Sequence, residues 1–369
     1  MIKVIHTEWS DGWGGQEIRT ISESLALKEK YGVNVIIACR SNAKIATKAK
    51  EAGLGVVFFD FKGAFDVKSI IALVKFIKQN NINILNSHSG KDTWVGGLAA
   101  KIAGIKFIRT RHLSNAISSS RLNFINELAD FIITTGESVK DAMIKNNRIN
   151  PQKILSIPTG VDDTKFKSEL YDKDECLKKF GLENDKIYIG MLSVLRAIKR
   201  HDIFLKIALN LHEKYPNALF VIAGSGPQEQ NIRDFIKNNN MQEYVKMLGH
   251  QENTAMFLKA IDIYMMISEN EGVPQSLMQA LLMQKASIAT NVGSVSDLYD
   301  GKNFKLVDFD EIKIQNALEN LLQNSNEREI LEQNAREFVK NNFTKDIMAK
   351  KIYQIYTNLL NAKKNNFLS

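Results

Sequence analysis

The chain has 369 residues, 44% of them hydrophobic and 24% charged, a balance that predicts two globular domains and excludes bulk disorder. Lys plus Arg number 49 against 41 Asp plus Glu, a formal charge of +8. The whole excess lies in residues 1–165, where 23 basic residues face 15 acidic ones, so the two halves are expected to meet different partners.

Cys39 and Cys176 form no CxxC pair, which argues against a zinc motif or disulfide framework and predicts buried free thiols in a reducing compartment. The N-terminus MIKVIHTEWSDGWGG turns polar by His6, unlike a signal peptide, and no window approaches the roughly 18 apolar residues of a transmembrane helix. Apolar runs at 2–5, 33–38, 56–59, 82–86, 107–110, 131–134 and 154–157 predict strands, and 16–31, 67–80 and 93–103 predict helices between them. Several runs are apolar at nearly every position, as in parallel strands covered on both faces. Residues 159–182 are polar and charged, broken by Gly160 and Gly181, and read as an interdomain linker. The alternation restarts with strands at 187–192, 218–223, 244–248, 261–267 and 287–290. From Glu311 the chain reads as helical, with an amphipathic stretch at 344–363. Two doubly wound α/β halves are expected, with ligands outside the carboxyl ends of strands.

Those strand ends carry the motifs. The loop Asp11–Gly12–Trp13–Gly14–Gly15–Gln16–Glu17 is glycine-rich but is no dinucleotide fingerprint, because the third glycine would fall at Glu17. What it offers is a tight turn into a helix start that attracts anions; the plain alternative is a sharp strand-to-helix turn. Ser268–Glu269–Asn270–Glu271–Gly272–Val273–Pro274–Gln275 follows the run IDIYMMIS and opens a helix at Pro274. The N–H groups of a helix start suit a diphosphate, and Glu271 would accept hydrogen bonds from sugar hydroxyls. Two sequences spell DxD, Asp172–Lys173–Asp174 and Asp308–Phe309–Asp310, and both read as solvated surface acids. His6, His88, His201, His212 and His250 show no zinc-type spacing.

With these residues in view the chain resembles, over nearly its whole length, the family-four retaining glycosyltransferases of the GT-B fold. HTEWSDGWGGQE looks like the family's Gly-Gly loop, ILNSHSGKDTWVGGLAAKIAGIKFIRTRH like its middle strands with a sugar-facing histidine, and ILSIPTGVDDTKF like its hinge, with Thr159 in place of Asn. ALFVIAGSGPQ resembles its Gly-x-Gly turn and ENEGVPQSLMQA its E-x7-E motif. The resemblance implies two Rossmann-like domains facing a central cleft: an acceptor-side domain over 1–165 and a nucleotide-sugar domain over 166–345. Helix 346–369 would cross back to the first domain.

The resemblance also implies roles. Arg196 and Lys199 match the basic pair on the donor diphosphate, with Lys199 the closer match and Arg200 a substitute for the arginine. Such a clamp stabilises the departing diphosphate. His112 would stand near the donor sugar, Glu271 on its hydroxyls, and Gly14, Gly15, Gly272, Val273, Pro274 and Gln275 around sugar and phosphate. Gly249 and His250 open a loop that would flank the nucleobase. The second acid of E-x7-E is replaced by Gln279, which keeps hydrogen-bonding capacity toward a ribose without the charge. The activity implied is retaining sugar transfer from a nucleotide-diphosphate donor to a glycan or lipid-linked acceptor, in bacterial surface polysaccharide or lipopolysaccharide synthesis, with neither metal nor cofactor. A cytoplasmic enzyme touching the inner face of the membrane is expected, its basic half (41–50 and 62–78) on an anionic surface. Nucleic acid is not expected as a partner, since no recognition module is present. The alternatives are a non-catalytic nucleotide-sugar-binding subunit, suggested by Gln279, and a sugar-nucleotide epimerase.

Overall fold

The computed structural model describes residues 1–112 and 124–365. The chain divides into two compact units, Met1–Gly160 with Lys345–Ser369, and Val161–Thr344.

The first unit runs β1 (Lys3–Glu8), α1 (Gly15–Tyr31), β2 (Asn34–Cys39), α2 (Lys44–Glu51), β3 (Gly55–Phe58), α3 (Val67–Gln79), β4 (Ile84–Ser87), α4 (Gly90–Ala103), β5 (Lys106–Arg111), α5 (Phe124–Leu128), β6 (Phe131–Thr134), α6 (Glu137–Asn147) and β7 (Ile154–Ser156). Its strands form one sheet in the order β3-β2-β1-β4-β5-β6-β7, every pair parallel. Alternate residues feed two cores, as the period of a strand requires. Val4, Ile84 and Ile108 face α1 and α2, while Ile5, Leu85 and Phe107 pack on the side of α3 and α4.

The second unit runs α7 (Lys173–Phe180), β8 (Ile187–Leu192), α8 (His201–Leu211), β9 (Ala218–Ala223), α9 (Glu229–Asn238), β10 (Val245–Gly249), α10 (Thr254–Ala260), β11 (Ile263–Met266), α11 (Gln275–Leu282), β12 (Ala286–Thr290), β13 (Lys305–Val307), α12 (Glu311–Gln323) and α13 (Ser325–Asn342). Its sheet order is β10-β9-β8-β11-β12-β13, again all parallel. Strand order thus reverses between β1 and β4 in the first sheet and between β8 and β11 in the second. Such reversals open crevices at the carboxyl ends of strands.

The last helix, α14 (Lys345–Asn365), belongs to the first unit. Met348, Ala349, Ile352 and Tyr356 are buried in the core that α1 and α2 cover. Tyr353 stacks on Tyr31 at 4.3 Å, and Gly160 donates its N–H to Met348 Sδ at 3.2 Å.

Two readings change. The expected linker at 159–182 folds largely into the second unit, because Cys176, Leu177 and Phe180 of α7 are buried in its core. Eight residues with one apolar face hide easily inside a charged stretch. Strand β1 continues through His6, Thr7 and Glu8, all fully buried, where the apolar run suggested an earlier end. The acids of both DxD sequences are exposed, as expected, and Asp172 and Asp310 also cap α7 and α12 by accepting from the N–H groups of Glu175 and Lys313. Cys39 and Cys176 are buried free thiols.

Candidate active site

Each unit gathers polar residues at its strand-order reversal. In the first, the three central strands grade from apolar to polar along the face toward α1: Val4, His6, Glu8 on β1; Ile84, Asn86, His88 on and after β4; Ile108, Thr110, His112 on and after β5. The innermost residue of each series is in the core, and Thr110 Oγ1 donates to Asn86 Oδ1 at 2.9 Å.

At the outer end Glu8 accepts from the Ser10 N–H at 2.9 Å, from Gln16 Nε2 at 2.5 Å and from the Ser89 hydroxyl. Gln16 lies in the first turn of α1 and Ser89 caps α4, so one carboxyl group stitches both helix starts to the end of β1. Asp92 accepts from Thr7 Oγ1 at 2.9 Å and from the His88 N–H at 3.1 Å. Burial pushes both acids up, Glu8 to about 8 with a further push from Asp92, and Asp92 to about 6. Gly14 precedes α1, and its N–H goes to Glu17 Oε2 at 2.8 Å. Gly15 begins the helix with open space where a side chain would stand, so the first-turn amides are approachable.

Behind this rim three imidazoles touch. His6 Nδ1 lies 2.7 Å from His88 Nε2, and His88 Nδ1 lies 2.8 Å from His112 Nε2. The ring centroids of His6 and His88 lie 4.9 Å apart with their planes within 16° of parallel, as rings bonded edge to edge do, and those of His88 and His112 lie 5.1 Å apart. Burial drives His6 down to about 3 and holds His88 and His112 well below the usual imidazole range, reinforced at the latter two by Arg19 and neighbouring histidines. All three are neutral near pH 7. Arg19 itself is fully buried, 3.5 Å from Glu23 and 3.3 Å from Thr159 Oγ1.

In the second unit the turns after β8 and β11 are tied backbone to backbone: the Glu269 N–H and the Ser268 hydroxyl both donate to the Ile198 carbonyl, at 2.9 and 3.1 Å. That tie brings Lys199 and Glu271 into an ion pair, with Glu271 only 10% exposed. Gly272 lies in open space, and Pro274 and Gln275 lead into α11. The turn after β9 presses on the turn after β8 so closely that a Cβ on Gly224 would sit 1.8 Å from Ser193 O. The Gly-x-Gly sequence therefore serves packing between loops. Gly293 makes the same approach to Glu271: its φ is +57°, and a Cβ would lie 1.8 Å from Glu271 O.

Arg196 does not join this pair. It is exposed and lines a cavity of about 410 Å³ with Arg200, His201, Asp202 and Glu269, which neither Lys199 nor Glu271 borders. Arg200 is held by Asp202 through two hydrogen bonds of 2.9 and 2.7 Å and by Glu269 at 2.8 Å. The expected basic pair is thus split, because the single turn between Arg196 and Lys199 sends their side chains to different surroundings. Gln279 Oε1 accepts from Thr254 Oγ1 at 3.2 Å, which ties α11 to the start of α10, just past the loop opened by Gly249 and His250. Gly249 adopts a φ of +67° and His250 is exposed.

Sequence reasoning missed Glu8, Asp92, Arg19 and the contact among the histidines. The signal present was the polar residue at every second position toward the strand ends.

Comparison with known proteins gives the same picture. The family described as Glycosyltransferase Family 4 matches residues 13–165, and that described as Glycosyl transferases group 1 matches residues 172–338. The UDP-Gal:alpha-D-GlcNAc-diphosphoundecaprenol alpha-1,3-galactosyltransferase of Escherichia coli is 27% identical over 263 residues, covering 66% of this chain and 68% of that protein. Matches to other curated relatives span about half of their length. A glycosyltransferase from Rickettsia africae superposes with a TM-score of 0.85 at 17% identity, over 97% of this chain and 98% of the other. Anabaena Alr3699/HepE in complex with UDP gives 0.84 at 16%, over 97% and 100%. The chain belongs to the family-four, group-1 glycosyltransferases, built from two parallel-sheet Rossmann-like domains of the GT-B type.

Proposed function

We propose that this protein transfers a sugar from a nucleotide-diphosphate donor to a glycan or lipid-linked acceptor, with retention at the anomeric carbon and without a catalytic metal, in the synthesis of a surface polysaccharide. The observation that carries the reading is the Lys199–Glu271 pair beside the start of α11. When the bond from sugar to diphosphate breaks, negative charge grows on the leaving phosphate. A lysine ammonium and helix-start amides are groups that meet such charge in a water-poor site. Glu271 would exchange its lysine partner for sugar hydroxyls as the donor binds, freeing Lys199 for the phosphate. One acid of each DxD sequence, Asp172 and Asp310, caps a helix, which supports lysine rather than a metal in this role. Gln279 would meet the ribose and His112 the donor sugar.

The named relatives support the donor and acceptor classes: one is a UDP-Gal transferase acting on a diphosphoundecaprenol-linked sugar, and HepE is seen with UDP-glucose. Peripheral membrane contact is favoured by the exposed face of α3 and the segment just before it. Phe65, Val67 and Ile71 are 66, 61 and 65% exposed beside Lys62, Lys68 and Lys75, an amphipathic surface suited to an anionic leaflet. No helix among the described residues is long and apolar enough to cross a membrane.

A panel of nucleotide-sugars screened by thermal shift identifies the donor, since a native-state ligand raises apparent stability. With that donor, Lys199→Ala is expected to lower kcat at least a hundredfold, about 2.7 kcal/mol of transition-state stabilisation. Near-normal turnover would remove Lys199 from the site. Interconversion of nucleotide-sugars without an acceptor would make the protein an epimerase.

A further inference from the structure

The three touching histidines carry hydrogen bonds whose direction can be worked out. A neutral imidazole has one N–H and one bare nitrogen, so a bond made at one nitrogen fixes the other. Thr20 supplies the starting point. Its Oγ1 lies 3.0 Å from the Gln16 carbonyl and 3.4 Å from His88 Nδ1. A carbonyl only accepts, so the Thr20 hydrogen goes to Gln16, and the hydroxyl oxygen can only accept from His88. A hydrogen on His88 Nδ1 keeps two lone pairs from facing each other there. It points chiefly at His112 Nε2, 2.8 Å away, which is then bare, and leaves the Thr20 oxygen at 3.4 Å as a weak second acceptor. His88 Nε2 is bare as well and accepts from His6 Nδ1–H at 2.7 Å.

The far end of the chain agrees. Among the described residues His6 Nε2 is buried with no hydrogen-bond partner. In the direction just derived it is a bare acceptor; in the opposite direction it would be an N–H donor stranded in the core. His6 is fully buried, and a stranded buried donor costs its full desolvation.

We propose that His88, backed by His6 and Thr20, is a positioning residue that fixes the tautomer of His112, so that His112 meets its ligand as a neutral Nδ1–H donor. The inference rests on the reading of His112 as the residue beside the donor sugar. A donor of fixed sense selects an acceptor atom, a hydroxyl or ring oxygen, on the ligand. Free imidazole favours hydrogen on Nε2, so a His112 released from His88 would present a bare Nδ1 and lose that selection. His88 touches no reacting atom; it acts through His112.

The experiment uses full-length protein labelled with 15N-histidine. Long-range 1H–15N correlation spectra distinguish the two neutral tautomers, and single His6, His88 and His112 substitutions assign the signals. The expected result is hydrogen on Nδ1 in all three; hydrogen on Nε2, or a charged imidazolium, at His112 overturns the proposal. His88→Leu is expected to move the His112 hydrogen to Nε2 and lower kcat/KM at least thirtyfold. His88→Asn places an amide N–H close to the lost Nδ1–H and should keep the His112 tautomer and most of the activity, whereas His88→Gln, with its amide one bond further out, should keep neither. Equal losses in all three variants with an unchanged His112 tautomer would mark His88 as structural only. The wild-type spectrum needs neither donor nor acceptor, so a failed transferase reading leaves the tautomer test standing.

Discussion

Gly293→Ala tests whether the backbone behind Glu271 is as closely set as the structure makes it. The residue sits at φ +57°, and its added Cβ would lie 1.8 Å from Glu271 O and 2.9 Å from its carbonyl carbon. Left-handed backbone costs an ordinary residue roughly 1 kcal/mol, and overpacking a rigid site about 1–3 kcal/mol more, for a loss of about 2–4 kcal/mol. Gly104→Ala separates the two contributions: its φ is +72°, with nothing within 4 Å of the added carbon, so it should cost only the conformational part. To relieve the clash, Glu271 must retreat by roughly 1.5 Å, and a misplacement of that size is worth on the order of a hundredfold in rate. Chemical denaturation of both variants, with turnover of the donor found in the screen, reads stability and rate together. A Gly293→Ala protein no less stable than Gly104→Ala, working within threefold of the wild-type rate, would show that the backbone at Glu271 yields freely.

Other consequences concern the first unit. Burial holds the proton on Glu8 to about 8, while the unfolded chain releases it near 4.5, so this residue makes the folded state lose stability as pH rises from about 4.5 to 8. Glu8→Gln should flatten that slope in urea titrations at pH 5, 6, 7 and 8; parallel curves would contradict a protonated Glu8. Arg19→Ala leaves Glu23 buried without its cation and should destabilise by about 3–5 kcal/mol, whereas Arg19→Ala with Glu23→Ala should recover part of the loss. Phe65→Ser with Ile71→Ser should weaken sedimentation with anionic vesicles at least tenfold and leave binding to soluble donor unchanged; undiminished sedimentation would move the membrane contact elsewhere.

How much was legible in the sequence depended on whether burial was local or tertiary. Strands β8 and β9 were readable to the residue, because IYIGML and ALFVIA are buried at nearly every position. β1 was cut short because His6, Thr7 and Glu8 are polar yet fully buried: their burial comes from α1 and from β4, not from their own character. The loops bearing Lys199 and Glu271 were found by motif, since each is a continuous run beside a strand end. Their pairing depends on β8 lying next to β11 across two intervening strands of sequence. The histidine contacts were out of reach for the same reason: His6 and His88 are 82 residues apart and meet only through the register of β1 on β4. The split of Arg196 from Lys199 was hidden too, because spacing along a chain does not say which way a tight turn aims successive side chains.

The return of α14 to the first unit has a consequence for biosynthesis. The sheet β1–β7 is translated first, yet one of its cores lacks Met348, Ile352 and Tyr356 until α14 has left the ribosome. The second unit, contiguous over Val161–Thr344, has all its parts before that moment. The domain begun first is therefore the one completed last. A premature stop shortly after residue 344 would spare the second unit, whose residues all precede it, and strip the cover from the first.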